Sequence, residues 1–64
     1  MTTAQVAYQQ AIIRQLTHLA DEHEALAHRC KDHERRGAHL RLVEYWRAAA
    51  QEHREFLRER AMAS

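Results

Sequence analysis

The chain has 64 residues and a mass of 7.6 kDa, enough for one small domain that hides only about 60% of its extended-chain surface. Proline is absent, glycine and cysteine occur once each, and ten basic residues balance nine acidic ones for a formal charge of +1. That composition excludes a β-sandwich, a glycine-rich nucleotide loop, a proline-rich linker and an intrachain disulfide framework. The even charge balance gives no strong general pull toward nucleic acid or an acidic membrane surface.

The first residues, Met1-Thr2-Thr3-Ala4-Gln5-Val6, lack the basic start and continuous apolar run of a secretory peptide. The apolar runs are too short to span a membrane. A lone cysteine suits a reducing compartment, so the expectation is a cytoplasmic protein without a membrane segment. Nine arginines against one lysine fit a GC-rich bacterial or phage source.

Helix one is expected over about 3–35. Thr2 with Gln5 three residues on is a capping-box pattern that starts it near Thr3. Apolar and semi-apolar residues then recur at Ile12, Leu16, Leu19, His23, Leu26, Cys30 and His33, with gaps alternating between four and three as in a heptad seam. Ile13, Ala20 and Ala27 widen this seam into a bundle-type stripe, while Arg14, Asp21, His28, Lys31 and Arg35 take the solvated side. A second stripe, helix two over about 39–62, holds Leu42, Val43, Trp46, Ala49, Ala50, His53, Phe56 and Leu57.

Nine residues separate His33 from Leu42, or about two and a half helical turns. On one continuous rod the apolar stripe would jump to the opposite face, so the chain is expected to turn between its stripes. Gly37 is the natural place, a turn at about 36–38 with glycine in the left-handed conformation after the helix end. The fold class is therefore all-α, a helix-turn-helix hairpin of two long antiparallel helices. With that turn, each residue lies near one whose number is about 75 minus its own. Helix one is then about 50 Å long and helix two about 37 Å, so Val6, Tyr8, Ile12 and Ile13 extend past their partner helix.

Two helices cannot enclose a stripe this wide, and each needs cover on more than one side. A twofold homodimer forming a four-helix bundle is one remedy. The other is a monomer whose stripe receives a different protein. Either way the interface residues expected are Val6, Tyr8, Ile12, Ile13, Leu16, Tyr45, Trp46 and Phe56, because half-exposed aromatic and aliphatic side chains serve as binding anchors.

Six histidines are the compositional oddity. The expected register puts His23 and His53 in one cross-helix layer, so a dimer axis nearby would gather four imidazoles, enough for tetrahedral zinc. An ordinary hydrogen-bonded core pair is the competing explanation. Cys30, His33 and His39 form another ligand-type group near the turn, against which stands a cysteine packed as a small apolar residue. No nucleophile, base and oxyanion-hole combination is visible, so no catalytic residue, resident metal or cofactor is assigned.

Arg29, Lys31, Arg35, Arg36 and Arg41 make the turn region basic. Cations also favour helix C-termini for electrostatic reasons, and Asp32 and Glu34 dilute the cluster. The functional expectation is a small non-enzymatic adaptor or regulator that binds and modulates or blocks a partner protein. The alternative is an RNA-binding hairpin acting through the basic turn. In length and outline the chain resembles small dimeric RNA-binding hairpin proteins encoded by plasmids, a likeness of fold that no shared motif carries.

Overall fold

The computed structural model describes residues 1–63, which form two helices, α1 (Thr3–Arg29) and α2 (His33–Ala63). They pack antiparallel along their length as a hairpin with Cα extents of 49 × 16 × 10 Å. The start of α1 is where its capping box puts it. The Gln5 amide N–H donates to Thr2 Oγ1 at 3.2 Å, and the Thr2 N–H donates to Gln5 Oε1 at 2.8 Å. Two of the amide donors that a helix start leaves without carbonyl partners are thereby satisfied.

The turn lies at Cys30-Lys31-Asp32 and not at 36–38, so α1 stops six residues earlier than expected and α2 begins six earlier. Three local interactions hold it there. The Cys30 N–H bonds back to the Ala27 carbonyl at 3.2 Å, tightening the last turn of α1. The Arg36 guanidinium donates twice to the Cys30 carbonyl, at 3.1 Å from Nε and 2.6 Å from Nη2, which serves one acceptor that the helix end leaves open. Asp32 then caps α2, its Oδ2 accepting from the Arg35 N–H at 3.0 Å, and Glu34 places a second carboxylate against the positive end of the helix dipole. Gly37 is an ordinary helical residue without positive φ.

The earlier turn changes the register. Hydrogen bonds join Gln9 to His53 and His23 to His39, pairs whose residue numbers each add up to 62 rather than 75. The two helices are therefore nearly matched, at 27 and 31 residues, and helix one has no overhang. Val6 shares a surface depression with Leu57 near the open end of the hairpin.

Burial identifies the rows that meet. In α1 they are Val6, Gln9, Ile13, Leu16, Ala20, His23 and Ala27, followed by Cys30, none of them exposed. In α2 they are His39, Val43, Trp46, Ala50, His53 and Leu57. Both series alternate gaps of three and four, the a and d positions of a heptad. Setting a at Val6, Ile13, Ala20 and Ala27 in α1 and at Val43, Ala50 and Leu57 in α2 puts the expected seam residues Ile12, Leu19 and Leu26 one row outside, at g. Among the described residues only Ala20, Ala27, Val43 and Ala50 are buried, and no large side chain is fully enclosed.

Replacing Gly37 with Ala separates the two turn positions. In mid-helix the substitution should stabilise the hairpin by about 0.5–1 kcal/mol, since an added Cβ meets only the end of the Arg41 side chain at 3.5 Å. A left-handed Gly37 would make the same change destabilising. Chemical denaturation of the two proteins reads the sign directly.

Candidate functional site

The hairpin has two unlike edges, set by which residues flank the seam. At the e positions stand Thr17 and Glu24 of α1 with Leu40, Arg47 and Arg54 of α2, Leu40 being 41% exposed. Arg47 reaches Glu24 at 3.0 Å and Asp21 at 3.5 Å, and Arg54 Nη2 donates to Thr17 Oγ1 at 3.3 Å. The Thr17 hydroxyl itself donates to the Ile13 carbonyl at 2.8 Å. The hydrogen bond from Arg47, reinforced by its charge, holds the Glu24 carboxyl below the ordinary 4.5, and Glu24 raises Arg47 in return. This edge is mainly polar and charge-paired, with the exposed Leu40 at its turn end.

At the g positions stand Ile12, Leu19 and Leu26 of α1 with Leu42, Ala49 and Phe56 of α2. In an antiparallel pair like positions flank the same side of the seam, so these six share one side of the hairpin. Leu26, Leu42 and Phe56 remain 42%, 41% and 38% exposed, and the other three are only half-buried. Tyr8 and Tyr45 lie in the next row outward and are 66% and 68% exposed. At the open end the face runs into a cleft of about 560 Å³ between Ala4, Tyr8, Phe56 and Arg60, where the Arg60 guanidinium sits 5.0 Å from the Phe56 ring centre. Isolated exposed apolar residues are ordinary on a protein surface, but a continuous strip is not.

The eight interface residues expected from the sequence therefore divide. Tyr8, Ile12, Tyr45 and Phe56 lie on or beside the outward apolar face. Val6, Ile13, Leu16 and Trp46 belong to the seam inside the hairpin and are half-buried there. Leu26 and Leu42 were expected to pack inside and instead stand exposed, with Leu19 half-buried in the same row. Their signal was the width of the stripe, which occupies three heptad rows where two helices can use only two.

The d row of the seam is largely polar. The Nδ1 atoms of His23 and His39 are 3.0 Å apart, so one ring donates its Nδ1 proton to the other. Trp46 packs against His23 with ring centres 4.8 Å apart at 56°. His53 donates its Nδ1 proton to Gln9 Oε1 at 2.7 Å. His23 and His53 thus occupy separate layers, each with another partner, rather than the single layer expected for zinc ligands. His39 is drawn to His23 and away from Cys30, whose thiol lies 3.6 Å from the Asp32 carbonyl. Among the described residues no three His, Cys, Asp or Glu side chains converge as a metal site.

The five cations of the turn region are all exposed, and the structure brings them to one end of the hairpin. Arg36 among them is held by the Cys30 carbonyl. No helix among the described residues is long and apolar enough to cross a membrane. The chain matches no protein-family model, no curated protein and no solved structure.

Two measurements probe these contacts. His39→Leu alone strands the half-buried His23 nitrogen and should cost about 0.5–1.5 kcal/mol, with much of the loss recovered when His23→Leu is added, because an unpaired polar group costs more than an absent pair. A double-mutant cycle reads the coupling. Separately, Glu24 has its folded value depressed, so its contribution is present above about 4.5 and is lost as pH falls through the lower folded value. Glu24→Gln should therefore lower stability slightly at neutral pH, less so in high salt, and should reduce the acid-side loss. Equal stability losses at neutral and strongly acidic pH would show that the charge pair is not the cause.

Proposed function

We propose that this chain is a small non-enzymatic adaptor or regulator that binds and modulates a partner protein through its g-row face. Ile12, Leu19, Leu26, Leu42, Ala49 and Phe56 supply the apolar strip, with Tyr8 and Tyr45 as anchors at its rims. The observation that supports this is the asymmetry of the two edges. One carries cross-helix ion pairs beside the exposed Leu40, while the other leaves Leu26, Leu42 and Phe56 in water with no ion pair among them. Apolar side chains in a continuous row gain free energy only when something covers them, at about 25 cal/mol per Å² removed from water. A helix or helix pair carrying a matching stripe is the surface that fits, because it meets the strip along its whole length.

The basic turn supports a second reading, an RNA-binding hairpin. Arg29, Lys31, Arg35 and Arg41 are exposed beside Arg36, and contacts from such cations to phosphates weaken steeply as salt rises.

Affinity capture from the native host lysate, using the wild-type chain and the Leu26→Glu/Leu42→Glu variant at low and high salt, separates the two. A protein retained by the wild type at both salts and lost at least about tenfold by the variant is the expected result, since a charge in the centre of an apolar contact opposes docking. Equal retention by both chains overturns the face. A nucleic acid prey that elutes with salt and ignores the variant moves the function to the turn.

A further inference from the structure

We propose that the His23–His39 contact is a pH-sensitive clasp. It joins the two helices near neutral pH and releases them in mild acid, when each ring carries a proton on the nitrogen that meets the other. The clasp belongs to the hairpin itself and is independent of what the g-row face binds.

Geometry sets the number of protons the pair can hold. The two Nδ1 atoms are 3.0 Å apart and the ring centres 5.2 Å apart. That centre-to-centre distance is close to the nitrogen gap with one ring radius on each side, so the nitrogens are aimed at one another. A metal ion on that line needs about 2.0–2.1 Å to each nitrogen, more than the gap allows, whereas one proton fits. With both rings neutral, one Nδ1 donates and the other accepts. A first added proton goes to the far nitrogen of the donor ring, which leaves the bond in place and makes it charge-assisted. On His23 that charge lies beside the Trp46 ring, whose centre is 4.8 Å away. A second added proton takes the accepting lone pair, and two N–H groups of like charge then meet head-on in a half-buried seam.

The surroundings do not offset the second charge. Among the described residues neither ring is bonded to a carboxylate. The residues one turn to either side of His23 on α1 are alanine and leucine, and Arg35 and Arg36 stand one turn before His39 on α2. On the e edge, Glu24 and Asp21 are already engaged by Arg47. The other histidine contacts tolerate acid. His53 donates its Nδ1 proton to Gln9 Oε1, a bond that survives because the ring gains its proton at the far nitrogen. His18, 2.7 Å from Glu22, becomes half of an ion pair when protonated. Acid therefore selects the His23–His39 bond for loss. The unfolded chain takes up both protons near the ordinary histidine value of about 6.5, while the clasped hairpin accepts one fewer. Stability then falls as pH drops below that value, and the folding constant loses up to about tenfold per pH unit for one excluded proton.

Urea denaturation of the full chain at about pH 8 and about pH 5, on either side of the histidine value and above that of most carboxylates, reads this loss. The wild-type folding constant should fall by about tenfold or more between the two. His39→Asn puts an amide oxygen where Nδ1 stands, an acceptor that takes no proton. It should keep most of the stability at the higher pH and lose most of the fall. His53→Asn, which still donates to Gln9, should show the wild-type fall. A variant that fails to fold leaves a second readout in the wild type, nitrogen NMR of the imidazoles followed together with Trp46 fluorescence. His23 and His39 should take up their protons in two separate steps, the second coinciding with a change around Trp46 and a loss of helix. Both rings charged while the hairpin stays closed overturns the clasp, and so does a fall of equal size in the wild type and His39→Asn.

Discussion

Alanine at positions 20, 27 and 50 controls the way these two helices meet. One small side chain per heptad lets helix axes approach closely, since their separation follows the size of the contact residues. The consequence is a seam that can hold methyl groups and flat rings but, among the described residues, fully encloses no large aliphatic side chain. Leu19, Leu26 and Leu42 stand in the flanking row because the alanine-bearing row takes the centre. A close seam also brings the e positions within reach of each other, which is how Arg47 spans to Glu24 and Asp21.

The polar d row is a second product of that geometry. Gln9, His23, His39 and His53 occupy positions where a coiled coil ordinarily places leucine, and each finds a hydrogen-bond partner across the helix pair. Such pairs add little net stability compared with apolar packing, but they fail badly when the register slips, because half-buried nitrogens lose their partners. Their effect is to specify alignment. A one-heptad slide along an alanine-rich seam would change apolar burial modestly, whereas it would break both the His23–His39 and the Gln9–His53 bonds.

Under the proposed function, specificity in register and exposure of the g row fit together in a module that must be aligned before it can be recognised. The register brings Ile12, Leu19 and Leu26 to the same side of the hairpin as Leu42, Ala49 and Phe56. On the edge carrying Arg47 and Arg54 the guanidinium groups already have partners within the hairpin, so polar contacts with another molecule gain less there. The apolar edge has the larger unspent contact area, and the proposed function places its recognition on that side.

The sequence by itself determined the helices, their antiparallel return and the capping box at Thr2, because each follows from local periodicity or from residues three and four apart. It also required a break between the stripes, since the nine residues from Cys30 to His39 carry the seam out of phase just as those from His33 to Leu42 do. Where the break falls was decided by competition among local signals. Gly37 has the conformational freedom for a turn, but Asp32 caps a helix start and Arg36 can serve the carbonyl of Cys30, and together these outweigh a freedom that a helix merely tolerates in glycine. The same was true of the stripe. Rows at a, d and g are all apolar enough to be core, and periodicity of about 3.6 cannot choose which two are used. The choice depends on how near the second helix can come, a property of both helices at once. Only the tertiary structure therefore decided that the alanines lie inside, that His23 meets His39 rather than His53, and that Leu26, Leu42 and Phe56 are left facing outward.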